Sequence, residues 1–243
     1  MFDHVTIRVS HRDASKRFYE LVLATIGHRI THPGDHFDEW NDFGISQARE
    51  DRRVTRGLHA AFCARSRADV DRFWREGVDA GYESDGEPGL RPQYARDYYG
   101  SFLLDPDGNS VEAVTFDKLK DDEFVLDHLW IRVRDLEAQQ QFWRTVAPVL
   151  GLRITGHRRN RFHVAGRRSF ALVQDERPKT ENLHVAFPVP SNEVVDEFHR
   201  AAVAAGFQDN GPPGERPVYH SGYYGAFVLD PDGNNVEAVN HNR

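Results

Sequence analysis

From Phe2 to Ser10 apolar and polar positions alternate, with Val5, Ile7 and Val9 on one side and His4, Thr6 and Arg8 on the other. That period of two predicts a strand with one face in a core. Over Asp13–Leu23 the spacing changes: Phe18, Leu21 and Val22 recur at three and four residues, the stripe of an amphipathic helix. Short strands follow, ending near Phe43–Gln47. The pattern then restarts with a strand at Leu58–Ala64 and a helix at Arg67–Ala80, striped by Val70, Phe73 and Trp74. Two strands, Tyr98–Leu104 and Ser110–Val114, complete it. Asp105-Pro106-Asp107-Gly108 between them places Pro and Gly where a hairpin turn wants them. The order is βαβββ, twice.

All of this happens again. YYGSFLLDPDGNSVEAV at Tyr98–Val114 recurs as YYGAFVLDPDGNNVEAV at Tyr223–Val239, 125 residues later. FDHVTIRVS at Phe2–Ser10 returns as LDHLWIRVR at Leu126–Arg134, and GLHAAFCA at Gly57–Ala64 as NLHVAFPV at Asn182–Val189. Self-similarity at a fixed offset fixes an architecture more firmly than propensity does. The expected organisation is a first domain over 1–117, a linker over 118–124 within a charged stretch, and a second domain over 125–243. The fold class is α+β: two tandem domains, each of two βαβββ units.

Composition narrows the chemistry. The 243 residues carry a net charge of -7, which argues against a nucleic-acid partner, since phosphate binding wants a basic surface. No apolar run approaches the roughly 20 residues that span a bilayer, and the N-terminus alternates like a strand, so a cytoplasmic protein is expected. The single cysteine, Cys63, excludes a disulfide framework and CxxC metal sites. Histidine and carboxylate remain as metal ligands. No GxGxxG, P-loop, GxSxG or HExxH occurs.

Strand parity places His4, and likewise His59, on the face opposite the helix; His128, Trp130 and Arg132 share one such face in the second copy, where His184 lies likewise. Glu112 and Glu237 stand in otherwise apolar last strands, where an ionised carboxylate is costly unless paired or coordinated. Two histidines and a carboxylate form the ligand set of non-haem Fe(II) sites, and similar sites take Mn, Ni or Zn. Read copy by copy, the sets are His4, His59 and Glu112, and His128, His184 and Glu237. His28, His32, His36, His157 and His163 fall in irregular or edge segments and are expected to be solvated.

The motifs DHVTI/DHLWI, GLHAAF/NLHVAF and FLLDPDGNSVEAV/FVLDPDGNNVEAV resemble the vicinal oxygen chelate superfamily, which includes glyoxalase I, extradiol dioxygenases and bleomycin resistance proteins. The resemblance implies sheets curled into open cups and a divalent metal ion, Fe, Mn, Ni or Zn, that chelates vicinal oxygens of a small-molecule substrate. It carries the ligand roles to the same six residues. A fourth ligand of the glyoxalase I type has no acid near the end of the first unit; Gln47 and Gln174 are the nearest candidates. The second copy resembles the extradiol signature more closely: it keeps that signature's histidine as His220, where the first copy has Ala95. It has Phe227 where a tyrosine is expected, and Tyr219, Tyr223 or Tyr224 could substitute.

The resulting expectation is an extradiol-type dioxygenase or a metal-assisted isomerase or lyase. His220 and Tyr223 would be catalytic, Trp130 would stack on the substrate, and Arg132 or Arg8 would attract an anionic group. The alternative is a metal-free drug- or metabolite-binding protein of the same fold, with aromatic walls from Trp40, Trp130 and the paired tyrosines. A homodimer stays open, and neither membrane nor nucleic acid is a partner.

Overall fold

The computed structural model describes residues 2–116, 124–158, 161–165 and 169–243, and of 157, 158, 161, 162 and 165 the backbone alone. Of the linker expected over 118–124, all but Phe124 lies outside the described residues, and so does the side chain of His157.

The first copy runs β1 (His4–Val9), α1 (Arg12–Thr25), β2 (His32–Pro33), β3 (Phe37–Trp40), β4 (Phe43–Gln47), β5 (Leu58–Cys63), α2 (Arg67–Asp79), β6 (Ser84–Leu90), β7 (Tyr99–Leu104) and β8 (Ser110–Thr115). The second repeats it as β9 (Leu126–Arg132), α3 (Leu136–Val146), β10 (Arg153–Arg158), β11 (Arg161–Ala165), β12 (Ser169–Val173), β13 (His184–Pro188), α4 (Asn192–Ala204), β14 (Gln208–Glu215), β15 (Tyr224–Leu229) and β16 (Asn235–Asn240). The expected βαβββ order holds in all four units. β6 and β14 were not legible as strands: SDGEPGL and QDNGPPGE are full of the residues strands avoid.

Strand order in the first sheet is β14-β15-β16-β13-β1-β4-β3-β2, and in the second β10-β11-β12-β9-β5-β8-β7-β6. Each eight-stranded mixed sheet thus joins the first four strands of one sequence copy to the last four of the other. Parallel pairing of β5 with β8 and of β13 with β16 sits among antiparallel neighbours.

Two compact units follow, one of Met1–Val5 with Trp130–Arg243, the other of Thr6–Leu129. In the first unit Asp3 N donates to Ala186 O (2.8 Å), so the start of β1 lies beside β13. Its core packs Trp143 against Phe170 with ring centres 4.6 Å apart and planes tilted by 60°, and Phe2 and Phe187 lie beside them. In the second unit Cys63 N donates to Val125 O (2.9 Å), which brings the start of β9 against β5. There Tyr19, Phe43 and Phe62 form the aromatic centre, with Trp40 packed on Tyr19 and fully buried. Trp40 is therefore core and not the wall of a binding pocket.

Helix starts are held from outside the helix. The backbone N–H of Arg12 donates to Gln47 Oε1, and that of Leu136 to Gln174 Oε1, each at 3.0 Å. Both glutamines thus satisfy amides that an α-helix leaves unpaired at its first turn. Gln47 and Gln174, the nearest candidates for a fourth ligand, are engaged at these helix starts.

Two candidate metal centres

Parity and register decide which side chains meet. Across the parallel pair β5 and β8, His59 aligns with Ser110 and Ala61 with Glu112, so His59 and Glu112 are diagonal neighbours on one face. The pair β13 and β16 repeats this with His184 against Asn235 and Ala186 against Glu237. The third ligand then comes from the other copy's leading strand. In one unit His4 joins His184 and Glu237; in the other His128 joins His59 and Glu112. All six candidate ligands fall into these two groups, which exchange units between the copies, an arrangement that the sequence leaves open beside the grouping copy by copy. Each set mixes copies because the strand beside β13 is β1 and the strand beside β5 is β9.

In the first unit, His4 Nε2 lies 3.0 Å from His184 Nε2 and 3.8 Å from Glu237 Oε2, and His184 Nε2 lies 3.1 Å from that same oxygen. In the second, Glu112 Oε2 is 3.0 Å from His59 Nε2 and 3.7 Å from His128 Nε2. Ligand atoms at about 2.1 Å from an ion and at right angles to one another lie about 3.0 Å apart. The separations of 3.0 and 3.1 Å match that spacing and those of 3.7 and 3.8 Å exceed it, and both sets offer the ligand types of a facial triad.

The carboxylates are held in place from behind. Tyr98 and Tyr223 donate their hydroxyl protons to Glu112 Oε1 and Glu237 Oε1, both at 2.6 Å. Burial, and then the adjacent glutamate charge, push both phenols far above their ordinary pKa, so they remain protonated donors. A Cβ at Gly225 would come within 2.8 Å of Glu237 Oε1, and one at Gly100 would collide with Glu112 Oε1. Glycine is what leaves room for the glutamate head.

The histidines are oriented through their other nitrogens, as ligating histidines usually are. His128 Nδ1 donates to Asp127 Oδ1 at 2.9 Å, and His4 Nδ1 to Asp3 Oδ1 at 2.8 Å. Ser110 donates its one hydroxyl proton to Asp85 Oδ2 (2.7 Å), so at 3.0 Å its oxygen must accept from His59 Nδ1. When neutral, His59 and His128 therefore turn both Nε2 lone pairs toward Glu112. Three acceptors then converge there, and that is a fit for a cation.

Asp3 is shared. Its second oxygen accepts from His241 Nε2 at 2.7 Å, and His241 Nδ1 lies 2.8 Å from His220 Nε2. His220 Nδ1 donates to Ser221 O (2.7 Å), so both nitrogens of the expected acid/base are engaged. Burial pulls the Asp3 carboxyl upward, but hydrogen bonds and charge from His4 and His241 outweigh it and hold the group below its ordinary value. At the corresponding places the second unit has Ala95 and Phe116, packed against Tyr98 and its apolar neighbours. His241 carries no sequence signal of its own and was missed.

Next to each glutamate stands a phenyl ring. Phe102 pairs with Glu112 across β7 and β8, and Phe227 with Glu237 across β15 and β16. Over these rings lie Arg91 and Arg216, each 5.5 Å from the ring centre. Among the described residues neither guanidinium has a carboxylate partner. Sequence reasoning missed both, because neither sits on a strand whose parity reveals its direction. Of the expected anion-binding residues, Arg132 is ion-paired with Asp175 at 3.4 Å, and the backbone of Arg8 donates to Thr55. Trp130 is half-buried on β9. His28, expected to be solvated, hydrogen-bonds the Cys63 carbonyl at 2.7 Å, whereas His32 and His36 are exposed.

A family model described as the glyoxalase/bleomycin resistance protein/dioxygenase superfamily matches residues 1–113 and again 125–238. No curated protein sequence matches the chain. Among solved structures, the V278E mutant of Zea mays glyoxalase I is similar at a TM-score of 0.73 and 18% identity, over 99% of this chain and 92% of that one. Zea mays glyoxalase I without that change gives 0.70 and 17%, over 99% and 92%. A protein from Bacillus subtilis subsp. subtilis str. 168, titled a putative dioxygenase, gives 0.66 and 12%, over 100% and 85%. At these identities the likeness is one of fold.

Proposed function

Because the chain belongs to the glyoxalase/bleomycin resistance protein/dioxygenase superfamily, we propose that it is a metal-dependent enzyme acting on a small molecule through two adjacent oxygen atoms. One observation carries the reading: His59, His128 and Glu112 bring two imidazole nitrogens and a carboxylate oxygen together at one point, while Ser110, Asp127 and Tyr98 hold their other polar atoms. A buried carboxylate facing two imidazole lone pairs is unfavourable without a cation. His4, His184 and Glu237 offer the same ligand types in the first unit.

A divalent ion held there by two histidines and a glutamate would supply Lewis acidity toward substrate oxygens. The chain's own residues do the rest. Tyr98 and Tyr223 fix the glutamates and keep their protons, so they position ligands rather than exchange protons with substrate. Phe102 and Phe227 give an apolar surface beside the ligands and donate no hydrogen bond. Proton transfer must therefore come from another group. His220 serves only if it leaves Ser221 and His241. Arg91 and Arg216, which lie over those rings and have no carboxylate partner among the described residues, are cations placed to attract an anionic substituent, in preference to Arg132. The reactions that suit this arrangement are extradiol-type oxygenation and metal-assisted isomerisation or elimination.

Metal analysis of the chain after reconstitution with Fe(II), Mn(II), Ni(II) or Zn(II) tests the reading. Close to one ion per triad is expected, with Glu112→Gln and Glu237→Gln each removing one. Less than about a tenth of an equivalent, for triads of this ligand type, would overturn it and leave the metal-free binding protein as the function.

A further inference from the structure

The two triads are built from the same ligand types but are prepared differently for an ion. In the second unit Asp85 takes the Ser110 hydroxyl proton at 2.7 Å, and Ser110 in turn accepts from His59 Nδ1 at 3.0 Å. That relay fixes the tautomer of a neutral His59: its proton is on Nδ1, and Nε2 presents its lone pair to the centre. In the first unit the same two positions are Asn210 and Asn235. Asn210 Nδ2 donates to Asn235 Oδ1 at 2.8 Å, and the Asn235 amide lies 2.6 Å from His184 Nδ1. An amide can donate to that nitrogen or, turned over, accept from it, so the asparagine pair commits His184 to neither tautomer. With its proton on Nε2, His184 can donate to Glu237 Oε2 at 3.1 Å or His4 Nε2 at 3.0 Å. An ion in the first triad has to select the other tautomer, which the second triad already holds.

Charge points the same way. Asp85 adds a carboxylate behind His59, whereas Asn210 is neutral. Asp3, behind His4, is shared with His241, and its negative charge is divided between two histidines. Ligand basicity set from the outer shell commonly changes metal affinity by about 10–100-fold.

We propose that the two centres are inequivalent: the His59–Glu112–His128 centre is the high-affinity metal site, with Asp85 and Ser110 as its positioning residues, and the His4–His184–Glu237 centre loads second. This rests on the metal reading above and not on His220, which lies in the first unit beside His241 and Asp3. Asp85 touches no ligand atom directed at the ion; it acts through Ser110 on the tautomer of His59.

The test is Mn(II) binding to the full-length chain, followed by electron paramagnetic resonance of unbound Mn(II). Glu237→Gln isolates the centre of the second unit and Glu112→Gln that of the first. The Glu237→Gln chain is expected to bind at least about tenfold more tightly than the Glu112→Gln chain. Asp85→Asn, added to Glu237→Gln, is expected to remove most of that advantage. Asn210→Asp with Asn235→Ser, added to Glu112→Gln, is expected to raise affinity in the first unit. Circular dichroism of every variant, unchanged from the parent, separates these effects from misfolding. Equal affinities in the two single-centre chains, or an Asp85→Asn chain that binds like its parent, overturn the inference while leaving two metal sites. Absence of Mn(II) binding in the unmodified chain overturns the metal reading and this inference with it.

Discussion

Glu112 and Glu237 show what a single side chain demands of its surroundings. Each is fully or almost fully buried, and each is held by one tyrosine hydroxyl and faces two imidazoles. Tyr98→Phe removes a hydrogen bond to a buried charge. We expect a loss of about 1–3 kcal/mol in denaturant unfolding, with metal occupancy of the second unit reduced. Unchanged stability would mean that Glu112 finds another donor. The glycine facing each carboxylate gives a second check. Gly225→Ala puts a methyl group 2.8 Å from Glu237 Oε1, which forces the head out of place. Metal affinity in the first unit should fall by about 10–100-fold, as for loss of an outer-shell partner, while the second unit binds as before. Glu112 and Glu237 were visible in the sequence as carboxylates in apolar strands. Their tyrosines were visible as repeated residues, but sequence does not say that the Tyr223 hydroxyl points at Glu237.

At the scale of elements, α1 is tied to its sheet by charge. Asp38 on β3 is wholly buried and accepts from Arg12 Nε at 2.8 Å and Lys16 Nζ at 2.9 Å, both on α1. Burial raises the Asp38 carboxyl, but the hydrogen bonds and charges of Arg12 and Lys16 outweigh it, and the net shift is downward. A carboxyl with a folded pKa below its unfolded value stabilises the fold above the unfolded value and loses that contribution as pH falls through the folded one. Asp38→Asn should therefore cost about 1–3 kcal/mol near neutral pH. The difference from the unmodified chain should close below the unfolded value of 3.8. A gap independent of pH would show that Asp38 acts through shape and not charge. The glutamine caps belong to this scale too: Gln174→Ala should destabilise by about 1 kcal/mol, the usual worth of a helix cap, without changing metal content. Periodicity made the four helices and most strands legible. It failed for β6 and β14, whose glycines and prolines break the alternation, and these are the strands against which Phe102 and Phe227 lie.

At the scale of the molecule the decisive fact is that each triad draws on both sequence copies. Paired substitutions separate this from grouping by copy. His4→Ala with His184→Ala strikes one triad and should leave about one ion bound per chain, at the second unit's centre, since a triad short of two ligands holds none. His4→Ala with His59→Ala strikes both, although the two residues share a copy, and should abolish binding. The reverse result, measured by metal analysis after dialysis, would restore grouping by copy.

By itself the sequence determined the duplication, the order of elements, the ligand types and the face of the strand on which each ligand lies. These follow from local periods, which backbone geometry converts directly into helices, strands and sides. Partner choice followed from something else. A strand's parity says which way His4 points, but not whether β13 or β5 lies alongside it, since both carry a histidine at the matching place. Strand pairing between distant segments is decided when the whole sheet assembles and buries its apolar face. The same holds for Asp85 and Ser110 behind His59 and for His241 behind Asp3: ordinary polar residues in sequence, given a role only by what the folded chain sets beside them.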